Sequence, residues 1–408
     1  MNAALPRPGQ VQAPALHPVV LATVLVAGHA IKHTYNAGFF LIIPEIARAL
    51  SLSNTSVGFL NTARNFAGAA SNLPAGFVAD SFSNRWGRIL GLSMLVIGVF
   101  EFVIGSLDAY WPILISAMVV STAVSFWHPP AIAALSLRFA ERRGFAISLH
   151  GGGGSIGEAL GPILVGGLLG ILTWQGILQL SLGPAVLTGI VVWLLMRSTL
   201  GHLSETTSFS NYVGGLREFI TTPHMAFIFV SVGGFSMAQA AVNTFLPIYL
   251  RNELNYSPLI TGGHLFLGQA AGIVSSPLLG HLSDRFGRRA VLMPCLMCLS
   301  VGIFALSAAP PGFGLLAAVA WNGAFMFPLM ALFLATAMDR VGSAVQATTV
   351  SLVYGIGTLF GSLSPTIAGI LADDFGVQAA FHWGSAIALV AALLFVFAAA
   401  PRTSKRAA

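Results

Sequence analysis

The chain has 408 residues, of which 56% are hydrophobic and only 8% charged, with 45 Gly, 29 Phe and a mean hydropathy of +0.83. An ordinary soluble domain carries roughly 25% charged residues, so a soluble globular enzyme is excluded. The composition is that of a polytopic helical membrane protein, where Gly lets helices approach closely. Two Cys cannot build a disulfide framework. Cys295 and Cys298 share one apolar segment and read as helix packing, because neither a second Cys pair nor a matching His pair accompanies them.

In chain order, residues 1–18 contain several Pro and a single Arg and read as a short tail, without the charged and apolar regions of a signal peptide. A membrane span needs about 20 apolar residues. Apolar runs near 19–43, 57–79, 89–107, 111–136, 145–172 and 175–196 predict six spans in a first bundle, 19–197. Residues 198–222, mixed Ser, Thr, Gly and charged, predict a central linker. Runs near 224–249, 259–282, 290–308, 313–337, 344–371 and 378–400 predict six more in a second bundle, 223–400, before a tail at 401–408. The expected fold is all-α, with twelve transmembrane helices in two six-helix bundles.

Cytoplasmic loops hold the excess of Lys and Arg in membrane proteins. Of 19 Lys and Arg, only Arg48 and Arg251 fall on outer loops if the N-terminus is inside; Lys32 and Arg64 fall within spans, and all others lie on the inner side. Both termini are therefore expected in the cytoplasm. The net charge of +6 reflects membrane topology and not nucleic-acid binding.

The halves repeat. Gly76 and Asp80 recur 204 residues later as Gly280 and Asp284, while Gly87, Arg88, Gly157 and Gly161 recur 200 residues later as Gly287, Arg288, Gly357 and Gly361. One four-residue insertion between Asp80 and Gly87 reconciles the two offsets. Repeats of this kind are typical of secondary transporters, whose site lies near the membrane midplane.

The second copy, Gly280-His-Leu-Ser-Asp284-Arg285-Phe-Gly287-Arg288-Arg289, resembles the signature loop of the major facilitator superfamily, and the first, Gly76-Phe-Val-Ala-Asp80 followed by Arg85-Trp-Gly87-Arg88, resembles it with the insertion. A Gly permits close helix contact, and an Asp beside Arg at a helix end can form a charge-assisted latch. Gly76, Asp80 and Arg88, with Gly280, Asp284, Arg285 and Arg288, are therefore the expected conformational gate. His29 and Pro44 in span one, Trp127-His128-Pro129 in span four, and Gly144-Phe-Ala-Ile-Ser148 leading to Gly157-Glu-Ala-Leu-Gly161-Pro162 in span five are similar to fosmidomycin-resistance-type exporters. That subgroup offers His-x-x-Asn-Asp in span one, where this chain has His29, Lys32 and His33: cationic or titratable groups replace a carboxylate. Span five also resembles the superfamily's Gly-Pro antiporter motif.

An ionisable side chain at the bilayer centre costs about 2.5–3.5 kcal/mol on insertion scales, so it should face a cavity or a partner. His29, Lys32, His33 and Asn36 share one face of span one at spacings of three and four, and are expected to line the path. Arg64, in span two, reaches either a cavity or the outer interface. His128 precedes two prolines that distort its helix. His150 starts a run of four Gly, and Glu158 lies two turns beyond, a lone acid among several bases. In the second half, interhelical hydrogen bonds account for Gln239, His264, Gln269 and Asn322, with Asn243 the expected contribution to substrate binding. Glu101 has no evident partner.

The expectation is a proton-linked transporter of the inner (plasma) membrane, a monomer without cofactor, exporting a small organic and anionic molecule. Lys32 and Arg64 would attract the anion, helped by His29, His33, Asn36, His128 and Asn243, while Glu158, His33 or His128 carries the proton. Uptake of the same cargo uses the same parts. His29 and His33, four residues apart, also fit transport of a metal or metal chelate, although Lys32 opposes a bare dication and no metal site is assigned. An intramembrane metalloenzyme would need a motif such as His-Glu-x-x-His, which the chain lacks. A transport-inactive sensor is the remaining reading.

Overall fold

The computed structural model describes residues 16–197, 223–339 and 346–398. The expected linker, 198–222, the expected C-terminal tail, 401–408, and all but residues 16–18 of the N-terminal tail lie outside the described residues. Within them the chain is entirely helical. The first half comprises α1 (Pro18–Ala49), α2 (Asn54–Ser81), α3 (Trp86–Ile104), α4 (Tyr110–Ser125), α5 (His128–Arg138), α6 (Arg143–Leu168), α7 (Trp174–Leu180) and α8 (Leu182–Met196). The second comprises α9 (Pro223–Ile248), α10 (Pro258–Phe286), α11 (Arg288–Ala308), α12 (Phe313–Met326), α13 (Leu329–Met338), α14 (Gln346–Phe375) and α15 (Gln378–Ala398).

Proline sets the matching irregularities of the halves, because it lacks an N–H and clashes with the preceding turn. Pro44 and Pro247, Pro74 and Pro277, and Pro162 and Pro365 stand inside equivalent helices, each pair 203 residues apart. The expected fourth and tenth spans are broken at the same place, between α4 and α5 before Pro129 and between α12 and α13 at Pro328. Packing repeats as well: α1 lies on α6 as α9 lies on α14, α2 on α4 as α10 on α12, and α3 on α8 as α11 on α15.

Among the described residues, nine helical segments are long and apolar enough to cross a membrane. The long helices α1, α2 and α6, of 32, 28 and 26 residues, are not among them. At 1.5 Å per residue each exceeds a 30 Å hydrocarbon core. Their hydropathy is lowered by polar and ionisable residues, among them His29, Lys32, His33, Arg64, His150 and Glu158.

The halves meet along α2 with α14 and α6 with α10, and the contacts cluster at the end where α1 stops and α2 starts. There Arg251, on a buried π-helical turn (Tyr249–Glu253) after Pro247, donates from Nε and Nη2 to Glu45 Oε1 at 2.9 and 2.6 Å. Asp373 accepts from the Asn54 and Thr55 backbone N–H groups, both at 2.8 Å, and so caps α2 from the other half. Thr366 Oγ1 donates to Thr62 Oγ1 at 2.8 Å. At the opposite end, Gly76, Gly144 and Gly280 have no neighbouring atom within 4 Å of where a Cβ would stand.

Candidate functional site

The buried charge of the first half converges on one cluster behind α1. Spacings of three and four put His29, Lys32 and His33 on the side of α1 that packs against α6, and the helices can touch there because Gly157 has no side chain: a Cβ at that position would overlap the carbonyl oxygen of Ala30. This approach sets His33 Nδ1 2.9 Å from Glu158 Oε1. Lys32 is completely buried and donates from Nζ to His128 Nε2 at 2.8 Å, so the break before α5 serves to aim His128 at α1. His29 bonds the backbone oxygen of His150 through Nδ1 at 2.7 Å, and its ring stacks on that of His150 at 3.8 Å. His29 Nε2 and both ring nitrogens of His150 are buried without hydrogen-bond partners.

The ligand atoms of His29, His33 and His128 lie within 4.8 Å of one another, close enough to surround one metal ion. The donor set does not suit one. Lys32 already occupies the lone pair of His128 Nε2 and brings an amine into the same space, so no resident metal is assigned.

Arg64 is placed beside the cluster and not in it. It is 3% exposed, donates to Asn36 Oδ1, and lies 4.7 and 5.2 Å from the ring centroids of Phe39 and Phe40. Behind it Glu101, 2% exposed, lies near Ser181 and within electrostatic reach of Arg64. Glu101 therefore has polar neighbours, 37 and 80 residues away in sequence, which no local pattern reveals.

A cavity of about 340 Å³ opens between the halves. From the first half it is lined by Asn36, Phe40, Asn65, Glu158 and Pro162. Of the stripe expected to line the path, only Asn36 reaches this wall; His29, Lys32 and His33 stand behind it, as do Arg64 and His128. From the second half come Gln239, Asn243, His264, Gln269 and Asn322, with Met330 and Phe327. Gln269 Nε2 donates to Glu158 Oε2 at 2.6 Å, so the carboxylate joins α1, α6 and α10. Of these polar residues the sequence placed Asn36, Asn243 and Glu158 at a site, and assigned Gln239, His264, Gln269 and Asn322 to helix packing.

The two signature loops differ. In the second half Arg288 bonds Asp284 through Nη1, Asp339 through Nε at 2.8 Å, and the Ser283 hydroxyl at 3.1 Å. In the first, Asp80 and Arg88 are exposed and, among the described residues, form no ion pair. The insertion accounts for the difference. Gly287 alone joins α10 to α11 at a φ of 94°, a conformation open to Gly, and the tight junction holds Arg288 one turn from Asp284. The inserted residues form a 3₁₀ turn, Ser83–Arg85, which carries Arg88 away from Asp80. Gly87 then lies inside α3, where a Cβ would stand 3.0 Å from Met196. Gly76 and Gly280 lie one turn before these aspartates, and the Arg285 guanidinium lies 5.3 Å from the centroid of the Phe286 ring.

Paired bundles around a central cavity, repeated signature loops and ionisable residues buried beside that cavity define a secondary transporter. The profile of the Major Facilitator Superfamily matches residues 25–365 and 266–408, and the chain belongs to that family. It is a transporter and not an enzyme, a multi-pass protein of the inner (plasma) membrane. The MFS-type transporter YfnC of Bacillus subtilis (strain 168) is 20% identical over 355 residues, spanning 86% of this chain and 85% of its own. The fosmidomycin resistance protein of Escherichia coli (strain K12) is 19% identical over 362 residues, 86% of each chain, in keeping with the resemblance in spans one, four and five. A crystal structure of a variant of the nucleoside transporter NupG shares the fold, with a TM-score of 0.78 at 13% identity over 92% of this chain and 99% of that one.

Proposed function

We propose that this facilitator is a proton-coupled exporter of a small organic molecule, working by alternating access with twelve spans and both termini in the cytoplasm. The observation that carries the reading is the position of Glu158. It lines the cavity, pairs with His33 in its own half and accepts from Gln269 of the other half. A proton taken up there weakens both the ion pair and the link between the halves, so protonation and cavity orientation share one group. His33 is the partner that exchanges the proton with Glu158, and His128, through Lys32, completes the relay.

The Glu45–Arg251 pair and the Asp373 cap close the cavity at the end expected to face outward, so the described state is open to the cytoplasm. Charge supports the orientation: Arg85, Arg88, Arg138, Arg142, Arg285 and Arg288 all stand at the other end. The E. coli relative is a resistance protein by name, which favours export. One chain encloses the whole cavity, so a monomer suffices. An anionic cargo would draw on Lys32 and Arg64, and both are engaged elsewhere, by His128 and by Asn36.

The test is transport in sealed proteoliposomes under an imposed pH gradient. The parent should move cargo against its concentration difference, whereas Glu158→Gln should retain exchange without uphill movement. Equal accumulation by both proteins would remove Glu158 from the coupling step.

A further inference from the structure

We infer that the central cavity takes an uncharged, polyhydroxylated molecule of sugar or nucleoside size; this rests on reading that cavity as the transport site. About 340 Å³ is at the small end of ligand pockets, so the cargo is compact. The wall has two kinds of polar group. Glu158 is the single carboxylate lining it, already engaged by His33 and Gln269. The rest are amides, hydroxyls and one imidazole, and no Lys or Arg lines the cavity among the described residues. A charged ligand would leave water for a low-dielectric space without a free countercharge, which is costly.

The neutral groups are unsatisfied. Asn322, Ser236 and His264 are 3, 7 and 5% exposed, yet Asn322 Oδ1, Ser236 Oγ and His264 Nε2 have no hydrogen-bond partner. Native interiors rarely leave such atoms bare, and these three border one cavity from α9, α10 and α12. Asn65, Gln239 and Asn243 are partly exposed on the same wall, and among the described residues none forms a hydrogen bond. A carboxamide offers a donor and an acceptor side by side, the complement of neighbouring hydroxyls, each of which both donates and accepts. Phe40 and Phe327 supply apolar surface for the carbon face of such a ring. Several convergent amides with an apolar floor and no free charge match a neutral polyol better than a carboxylate or phosphonate.

The experiment is equilibrium binding by calorimetry on the detergent-purified full chain. The probes are D-glucose, D-mannitol and uridine, set against gluconate and phosphonoacetate. Saturable binding is expected for at least one neutral probe, stronger than for either anion. Asn243→Leu and Gln239→Leu, at partly exposed positions that do not hold helices together, should each weaken it about ten-fold; Asn322→Leu is added if its melting temperature stays near that of the parent. Binding confined to the anions, binding of none of the probes, or unchanged affinity in folded Asn243→Leu and Gln239→Leu proteins overturns the inference. The readout does not depend on proton coupling. Neutral-probe binding with no proton-driven accumulation would sink the coupling mechanism alone, and anion-only binding would sink the cargo class alone.

Discussion

In the first half, Lys32 and Arg64 are withdrawn from the cavity and bound to His128 and Asn36, with Glu101 buried near Arg64, whereas in the second half Gln239, Asn243 and Asn322 line the wall with hydrogen-bonding capacity to spare. Two halves of one repeat have therefore diverged in chemistry while keeping the same helix packing. Lys32 and Arg64 have their partners inside their own bundle, so they need not be separated from them in each cycle, a separation that would cost several kcal/mol. An amide can lose and regain water or ligand cheaply, and so suits a surface that opens and closes. The comparison assigns coupling to the first half and cargo recognition to the second, with Glu158 reaching between them.

The largest effect that can break this division is expected at Glu158. Glu158→Gln keeps the shape and a bond to Gln269 but removes the ionisable group, and uphill accumulation in proteoliposomes should fall at least ten-fold while exchange persists. If exchange disappears as well, the acid belongs to recognition as much as to coupling. Next comes the contact that joins the halves. Glu45→Gln removes the carboxylate that receives Arg251, two side chains only 17 and 10% exposed, and breaking it should favour the opposite cavity orientation by about 1–3 kcal/mol. Labelling of single cysteines at the Glu45 end should rise roughly ten-fold; unchanged labelling would mean that the Asp373 cap holds that end alone.

Lys32→Met sharpens the comparison at its weakest point. It strands His128 Nε2, so proton-driven accumulation should drop more than cargo affinity does, whereas Asn243→Leu should show the reverse order. The ratio of the two effects, measured by flux and by binding on the same preparations, is the quantity to compare. A Lys32 variant that loses affinity as strongly as the Asn243 variant would return the cation to the binding site. The smallest effect is expected at the signature loops. Asp284 is paired and Asp80, among the described residues, is not, so Asp284→Asn should shift cysteine accessibility between the faces by more than Asp80→Asn. The pair is largely solvent-exposed, which limits the difference to about 1 kcal/mol. Equal responses would show that both loops act through something other than these ion pairs.

The sequence by itself determined what depends on neighbours along the chain. Apolar runs long enough for a bilayer, Lys and Arg kept to one set of loops, helix-breaking prolines and a repeated Gly–Asp–Arg loop all follow from local chemistry, and they led to the family. The face of α1 that carries His29, Lys32 and His33 was legible for the same reason, since helical spacing alone groups those residues. Which side of that face meets water, protein or cargo was not legible. Lys32 and His128 are 96 residues apart, and Glu158 and Gln269 are 111 apart, so their pairing depends on how the helices pack. The same holds for the amides of α9, α10 and α12, which in sequence look like interhelical glue. Only the tertiary structure decided that the cations turn into their own bundle and the amides face the cavity, because long-range packing sets the solvation of each polar group.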